Sequence, residues 1–278
     1  MSMSSVLSAF HPNRLVHTAV LLAGLAVLPM STGCFKYEKP LVKVDEDPEP
    51  GAFPHDLFAE VLDGRVSEDG LIDYAAIQAD REALDRYTGY IARVSPENDP
   101  DAFPDRWHEM AYYINTYNAL AIRGVIDRPG LNSVDDIKIE YFFYTRYNIG
   151  GDKLDLYRLE NKVVRPRFND PRVHFALNCQ SGGCPIFPQT PFYPEGLDAF
   201  LDEQTVRFVN HPEKVRKKAG ADGVWEISQI FEWYAVDFEK DGGAAAFIHK
   251  YRDEVPADAT IEYIPYDWAL IKQPGKGP

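Results

Sequence analysis

Apolar residues recur along this chain with two different periods. Trp107, Met110, Ala111, Ile114, Ala121 and Val125 form one helical stripe over residues 105–127, which Arg128-Pro129-Gly130 ends. Ile77, Leu84, Tyr87 and Ile91, at threes, fours and sevens, predict a helix over residues 74–94. Shorter stretches with helical spacing cover residues 55–62, 156–164, 197–209, 229–238 and 244–251. Asn115 and Asn118 fall on the stripe of the strongest helix. An amide facing a core costs about 1–3 kcal/mol if left unpaired, so both need partners. They either tie the helix to loop backbone or line a pocket and bind a ligand.

The other period is two. Val173, Phe175 and Leu177 alternate with His174, Ala176 and Asn178, the pattern of a half-buried strand that starts after Asp170-Pro171. It breaks at Cys179-Gln-Ser-Gly-Gly-Cys184-Pro185, a turn-forming run with two glycines. Residues 224–227 and 261–264 read as strands, and the aromatic, β-branched run at 137–149 as a strand or hairpin arm. Strands this short, unevenly placed among helices, predict an α+β fold: one domain of mixed helices around a small sheet.

Composition narrows the class. The chain has 278 residues and a formal net charge of −14. Such an acidic surface argues against a nucleic-acid partner, which needs a basic face. Residues 15–29 form a nearly uncharged apolar run after Arg14, and Met-Ser-Thr-Gly33-Cys34 follows. That reads as an export signal over residues 1–33. Small-Gly-Cys at its end resembles a bacterial lipobox, although Ser31 stands where leucine is usual. Cys34 is then the expected lipidation site, and the lipid the only contact with a membrane, at the periplasm or outer membrane. Residues 34–54, charged and proline-rich, read as a tether. The domain is expected over residues 55–272, with a tail at 273–278.

Chemistry concentrates at the end of the 172–178 stretch. One reading makes Cys179 a nucleophile, His174 its base and Glu160 the group that orients the imidazole, with the amides of residues 180–183 as an oxyanion hole. On an ideal strand His174 and Cys179 point to opposite faces, so this reading needs a bend at Asn178. A second makes Cys179 and Cys184 a disulfide, contributing roughly 2 kcal/mol for so small a ring. A third counts His174, Cys179 and Cys184 as metal ligands, but no fourth ligand is evident. No cofactor is expected.

Four motifs occur in order: Tyr113-Ile-Asn-Thr-Tyr-Asn-Ala-Leu120, Leu159-Glu-Asn-Lys-Val-Val-Arg165, His174-Phe-Ala-Leu-Asn-Cys179 with Cys184-Pro, and Tyr266-Asp-Trp268. With these the chain resembles the domain-of-unknown-function 547 family over nearly all of residues 55–270. The resemblance implies a fold related to papain-like and transglutaminase-like thiol hydrolases, whose nucleophile opens a central helix. Asn115 stands near that place here. Two functions follow: a thiol-dependent hydrolase or acyl transferase acting on an amide or peptide, or a non-catalytic envelope module that binds a peptide, glycan or small molecule.

Overall fold

The computed structural model describes residues 35–278. Its axis is the helix Arg106–Ile126, and every residue from Met110 to Ile126 is buried. Asp105 caps it by accepting from the backbone N–H groups of Trp107 and His108. Gly124 lets Tyr141 and Tyr147 close onto the helix; a Cβ there would meet the Tyr141 ring at 2.6 Å. The helices His55–Leu62 and Glu82–Arg93 pack against one another and against this axis.

Two three-stranded sheets complete the α+β architecture among the described residues. In one, β1 (Lys36–Glu38) runs parallel to β2 (Thr145–Ile149), which turns antiparallel into β3 (Asp152–Leu154). In the other, β4 (Val215–Lys217) pairs antiparallel with β5 (Val224–Ser228), which lies parallel to β6 (Thr260–Ile264). Beside the second sheet Phe175, Phe208, Phe231, Phe238 and Phe247 form an aromatic core with Trp225.

Several local expectations change. The alternating stretch is a 3-10 helix, Pro171–Phe175, and no strand. Asp170 accepts from the Arg172 N–H and Pro171 supplies the first turn, so the start is pre-organised for a helix. Val173, His174, Phe175 and Ala176 are all buried, so the alternation in type was never an alternation in exposure. The expected helix over 74–94 is two helices, Tyr74–Ala79 and Glu82–Arg93. The aromatic run starts as a π-helix, Glu140–Tyr144, before β2. Residues read as tether and tail lie along the domain: β1 comes from the former, and Tyr74 N–H donates to Lys276 O in the latter. Cys34 and the apolar run before it lie outside the described residues.

Candidate functional site: a buried thiol pair

The site is assembled by amides of the central helix and of the turn. Asn118 donates through Nδ2 to Ala176 O (3.0 Å) and accepts from Asn178 N–H (2.8 Å), which ties the helix to the chain just before Cys179. Asn178 then closes the turn on itself. Its Nδ2 donates to Pro185 O (2.6 Å), and its Oδ1 accepts from Gln180 N–H (2.7 Å). Gln180 is held in the left-handed region at φ 72°, a placement that costs on the order of 1–3 kcal/mol for a residue with a side chain. Tyr74 OH, donating to Gln180 Oε1 at 2.9 Å, helps hold it there.

The C-terminal segment clamps the other side. Gly182 N–H donates to Ala269 O and Gly183 N–H to Asp267 O. A Cβ on Gly182 would collide with the Asp267 carboxylate, and one on Gly183 with the Tyr266 ring. Glycine is therefore required here by close approach, not by an unusual φ. Lys214 Nζ donates to Gly182 O from the opposite wall.

Inside this clamp two free thiols meet. Cys179 Sγ and Cys184 Sγ are 2.8 Å apart, and both residues are buried. Cys179 N–H donates to Cys184 Sγ at 3.0 Å. Tyr266 OH lies 3.1 Å from Cys184 Sγ and 3.4 Å from Cys179 Sγ; Ser181 Oγ is 3.0 Å from Cys179 Sγ. Burial opposes ionisation of Cys184, but the hydrogen bonds from Cys179, Tyr266 and Ser181 outweigh it and bring its thiol down to about 6. Burial, and then the proton Cys179 gives to its neighbour, push Cys179 well above the ordinary thiol range. The hydrogen bonds therefore favour ionisation at Cys184 over Cys179. A cleft of about 230 Å³ reaches it: Cys184 lines this cleft with Lys214, Phe187 and Asp267, and Cys179 does not.

His174 belongs to a different cluster. Its Nε2 bonds Asp237 Oδ2 at 2.7 Å, and its ring stacks on Tyr234 at 4.0 Å. Arg165 grips the same carboxylate with two bonds of 2.6 and 2.9 Å. Burial alone would raise the Asp237 pKa, yet the His174 and Arg165 bonds hold it well below the usual carboxylate range. Among the described residues no hydrogen bond joins His174 to either sulfur. The expected partnership of Glu160 with His174 is not what orients the imidazole; Asp237 does that. Glu160 instead faces Tyr234 and Tyr117, and its charge adds to burial in pushing both phenols up. The oxyanion hole is also displaced, because the amides of Gln180, Gly182 and Gly183 already have acceptors.

Asn115 anchors a third place. It donates to Phe192 O and accepts from Phe192 N–H, and its Nδ2 also donates to His55 Nδ1 at 3.0 Å. Among the described residues no group of three or more His, Cys, Asp or Glu is arranged to hold a metal. No helix there is long and apolar enough to cross a membrane.

Sequence reasoning passed over Tyr266, Ser181 and Asp237. Tyr266 stands in the motif Tyr266-Asp-Trp268, but nothing in that motif says that its hydroxyl reaches the cysteines. Nothing in the spacing around Asp237, in the short helix Ala235–Phe238, marks it. Residues 102–209 match the family described as Protein of unknown function, DUF547. No curated protein and no solved structure matches the chain.

Proposed function

We propose that this DUF547 domain carries out thiol–disulfide exchange through Cys184 and Cys179. The observation that carries the reading is that Cys184 lines a cleft and its sulfur lies 2.8 Å from that of Cys179. The Cys184 thiolate attacks one sulfur of a substrate disulfide, forms a mixed disulfide and expels the other sulfur as a thiolate. Cys179 then gives its proton to the thiolate just expelled and attacks the Cys184 sulfur. The internal disulfide forms, the second substrate thiolate leaves, and two electrons have passed to the substrate.

Hydrolysis of, or acyl transfer from, an amide or peptide by the same thiolate is the second reading. The lowered pKa of Cys184 favours it. It lacks a base for the water that would release the acyl group. The export and Cys34 lipid anchor expected from residues 1–34 agree with exchange, since disulfides persist outside the cytosol. Palmitate labelling of wild type and Cys34→Ser tests the anchor; equal label in both, or none, removes it.

The test of the reaction is trapping. With oxidised glutathione, Cys179→Ser is expected to hold a mixed disulfide on Cys184, while wild type resolves it to the internal bond. Mass spectrometry without reductant reads both. A mixed disulfide that persists on the wild type, or one on Cys179 in the Cys184→Ser variant at the same rate, contradicts the assignment. With p-nitrophenyl acetate, a burst followed by steady turnover would favour acyl transfer instead.

A further inference from the structure

A second pocket, of about 230 Å³, lies between the start of the helix His55–Leu62 and residues 193–195, away from the thiols. Its floor is His55, which is 5% exposed. The protonation of this imidazole can be read from its neighbours. Phe192 N–H and C=O bond both ends of the Asn115 amide, which fixes which end carries nitrogen. Asn115 Nδ2 can only donate, so His55 Nδ1 accepts from it, and Tyr87 OH lies 2.9 Å from the same nitrogen. The proton must then sit on Nε2, which has no hydrogen-bond partner among the described residues. Burial lowers the imidazole pKa to about 3, so the group is a neutral donor.

The walls fix what suits that donor. Phe53 and Phe103 present apolar rings, 5.6 Å between centroids, and Tyr193 stands edge-on to His55. Asp56 and Glu195 lie at the rim, both exposed. Tyr193 OH donates to Asp56 at 2.9 Å, and His108 is engaged by Asp105 at 2.9 Å. Two rim carboxylates disfavour an anion. A bare cation leaves the unpartnered N–H without an acceptor. A metal on Nε2 would require an imidazolate, because Asn115 occupies Nδ1.

We propose that this pocket binds the amino end of a peptide or amino-acid amide. Its ammonium group lies between Asp56 and Glu195, its first carbonyl oxygen accepts from His55 Nε2–H, and its side chain packs on Phe53 and Phe103. The site stands on its own observations and does not depend on the thiol reaction. Asn115 is a positioning residue in it, since its amide sets the His55 tautomer.

Calorimetric titration of the full chain with phenylalaninamide tests the proposal. Blocking the ammonium, in N-acetylphenylalaninamide, is expected to weaken binding by about tenfold or more, the loss of one charge-assisted hydrogen bond. Phenethylamine, which lacks the carbonyl, should weaken it comparably. Asp56→Asn and Glu195→Gln alter exposed side chains, so the fold is retained, and each should weaken phenylalaninamide several-fold without changing exchange at Cys184. In the ¹⁵N spectrum of the histidines, the ligand should shift the protonated Nε2 resonance of His55 and leave the tautomer unchanged. No heat with phenylalaninamide at 10 mM, equal binding of the acetylated compound, or indifference to both rim substitutions would each overturn the assignment.

Discussion

His174 and Cys179 are five residues apart and were expected to share one site, yet each sits in surroundings of a different kind. The imidazole is stacked on Tyr234 and bonded to a carboxylate that Arg165 also holds. Its Nε2 is engaged inside the fold. At the thiol pair the donors converge on one sulfur, and a cleft leads to it from outside. Both regions stabilise a charge, but the Asp237 carboxylate is already paired with His174 and Arg165, whereas Cys184 has no cationic hydrogen-bond partner among the described residues and lines a cleft. Burial and a perturbed pKa are thus poor guides to a working group by themselves; whether the charge already has its counter-ion distinguishes the two.

The largest expected effect separates the regions by activity. Cys184→Ser should reduce disulfide exchange to the background rate, whereas His174→Gln should leave it within about threefold, as measured by glutathione exchange at pH 7. A loss in His174→Gln as deep as that in Cys184→Ser, with the fold intact by circular dichroism, would merge the two sites again.

Stability should show the reverse order. Asp237→Asn is expected to cost about 2–3 kcal/mol, somewhat less than breaking a fully buried pair because its carboxylate is partly exposed. The folded pKa of Asp237 is depressed, so its contribution is present above the unfolded value of about 3.9 and is lost as pH falls through the lower folded value. Urea unfolding should therefore show the gap between wild type and variant narrowing below about pH 4. A gap that stays constant down to pH 2 would contradict the linkage.

Tyr266→Phe is a smaller change. It removes one hydroxyl from the thiolate and retains the ring that packs on Trp233 and Trp268, at 4.8 and 4.6 Å. A hydrogen bond to a charged group is worth about 1.5–3 kcal/mol, so the apparent pKa of Cys184 should rise by roughly 1–2 units. An unchanged alkylation profile would mean that Tyr266 packs without donating.

What could be read from sequence follows the range of the forces involved. The helices His55–Leu62 and Leu197–Val209 were legible to the residue because their apolar faces repeat over whole turns. The cysteine turn was legible as a place because its glycines and cysteines are contiguous. The geometry within it was not. Tyr266 reaches the sulfurs from more than eighty residues away, and Asp237 reaches His174 from more than sixty. No local period encodes such contacts. Pro171–Phe175 was misread for a different reason: over five residues, a 3-10 turn and a strand can carry the same apolar pattern. Asn115 and Asn118 were singled out for being polar on a buried stripe, and both bond loop backbone. Asn115 also fixes His55, a histidine that carried no motif.

The central claim is that Cys184, and not Cys179, holds the thiolate. Iodoacetamide alkylation of the reduced protein between pH 4 and 10, with each cysteine followed by peptide mass spectrometry, tests it directly. Cys184 should label first, with an apparent pKa near 6, and Cys179 only far above neutrality. In the Cys179→Ala variant the Cys184 midpoint should rise, because a donor to the thiolate is gone. Labelling of Cys179 ahead of Cys184, or of both together near the ordinary thiol value of about 8.5, would contradict the account.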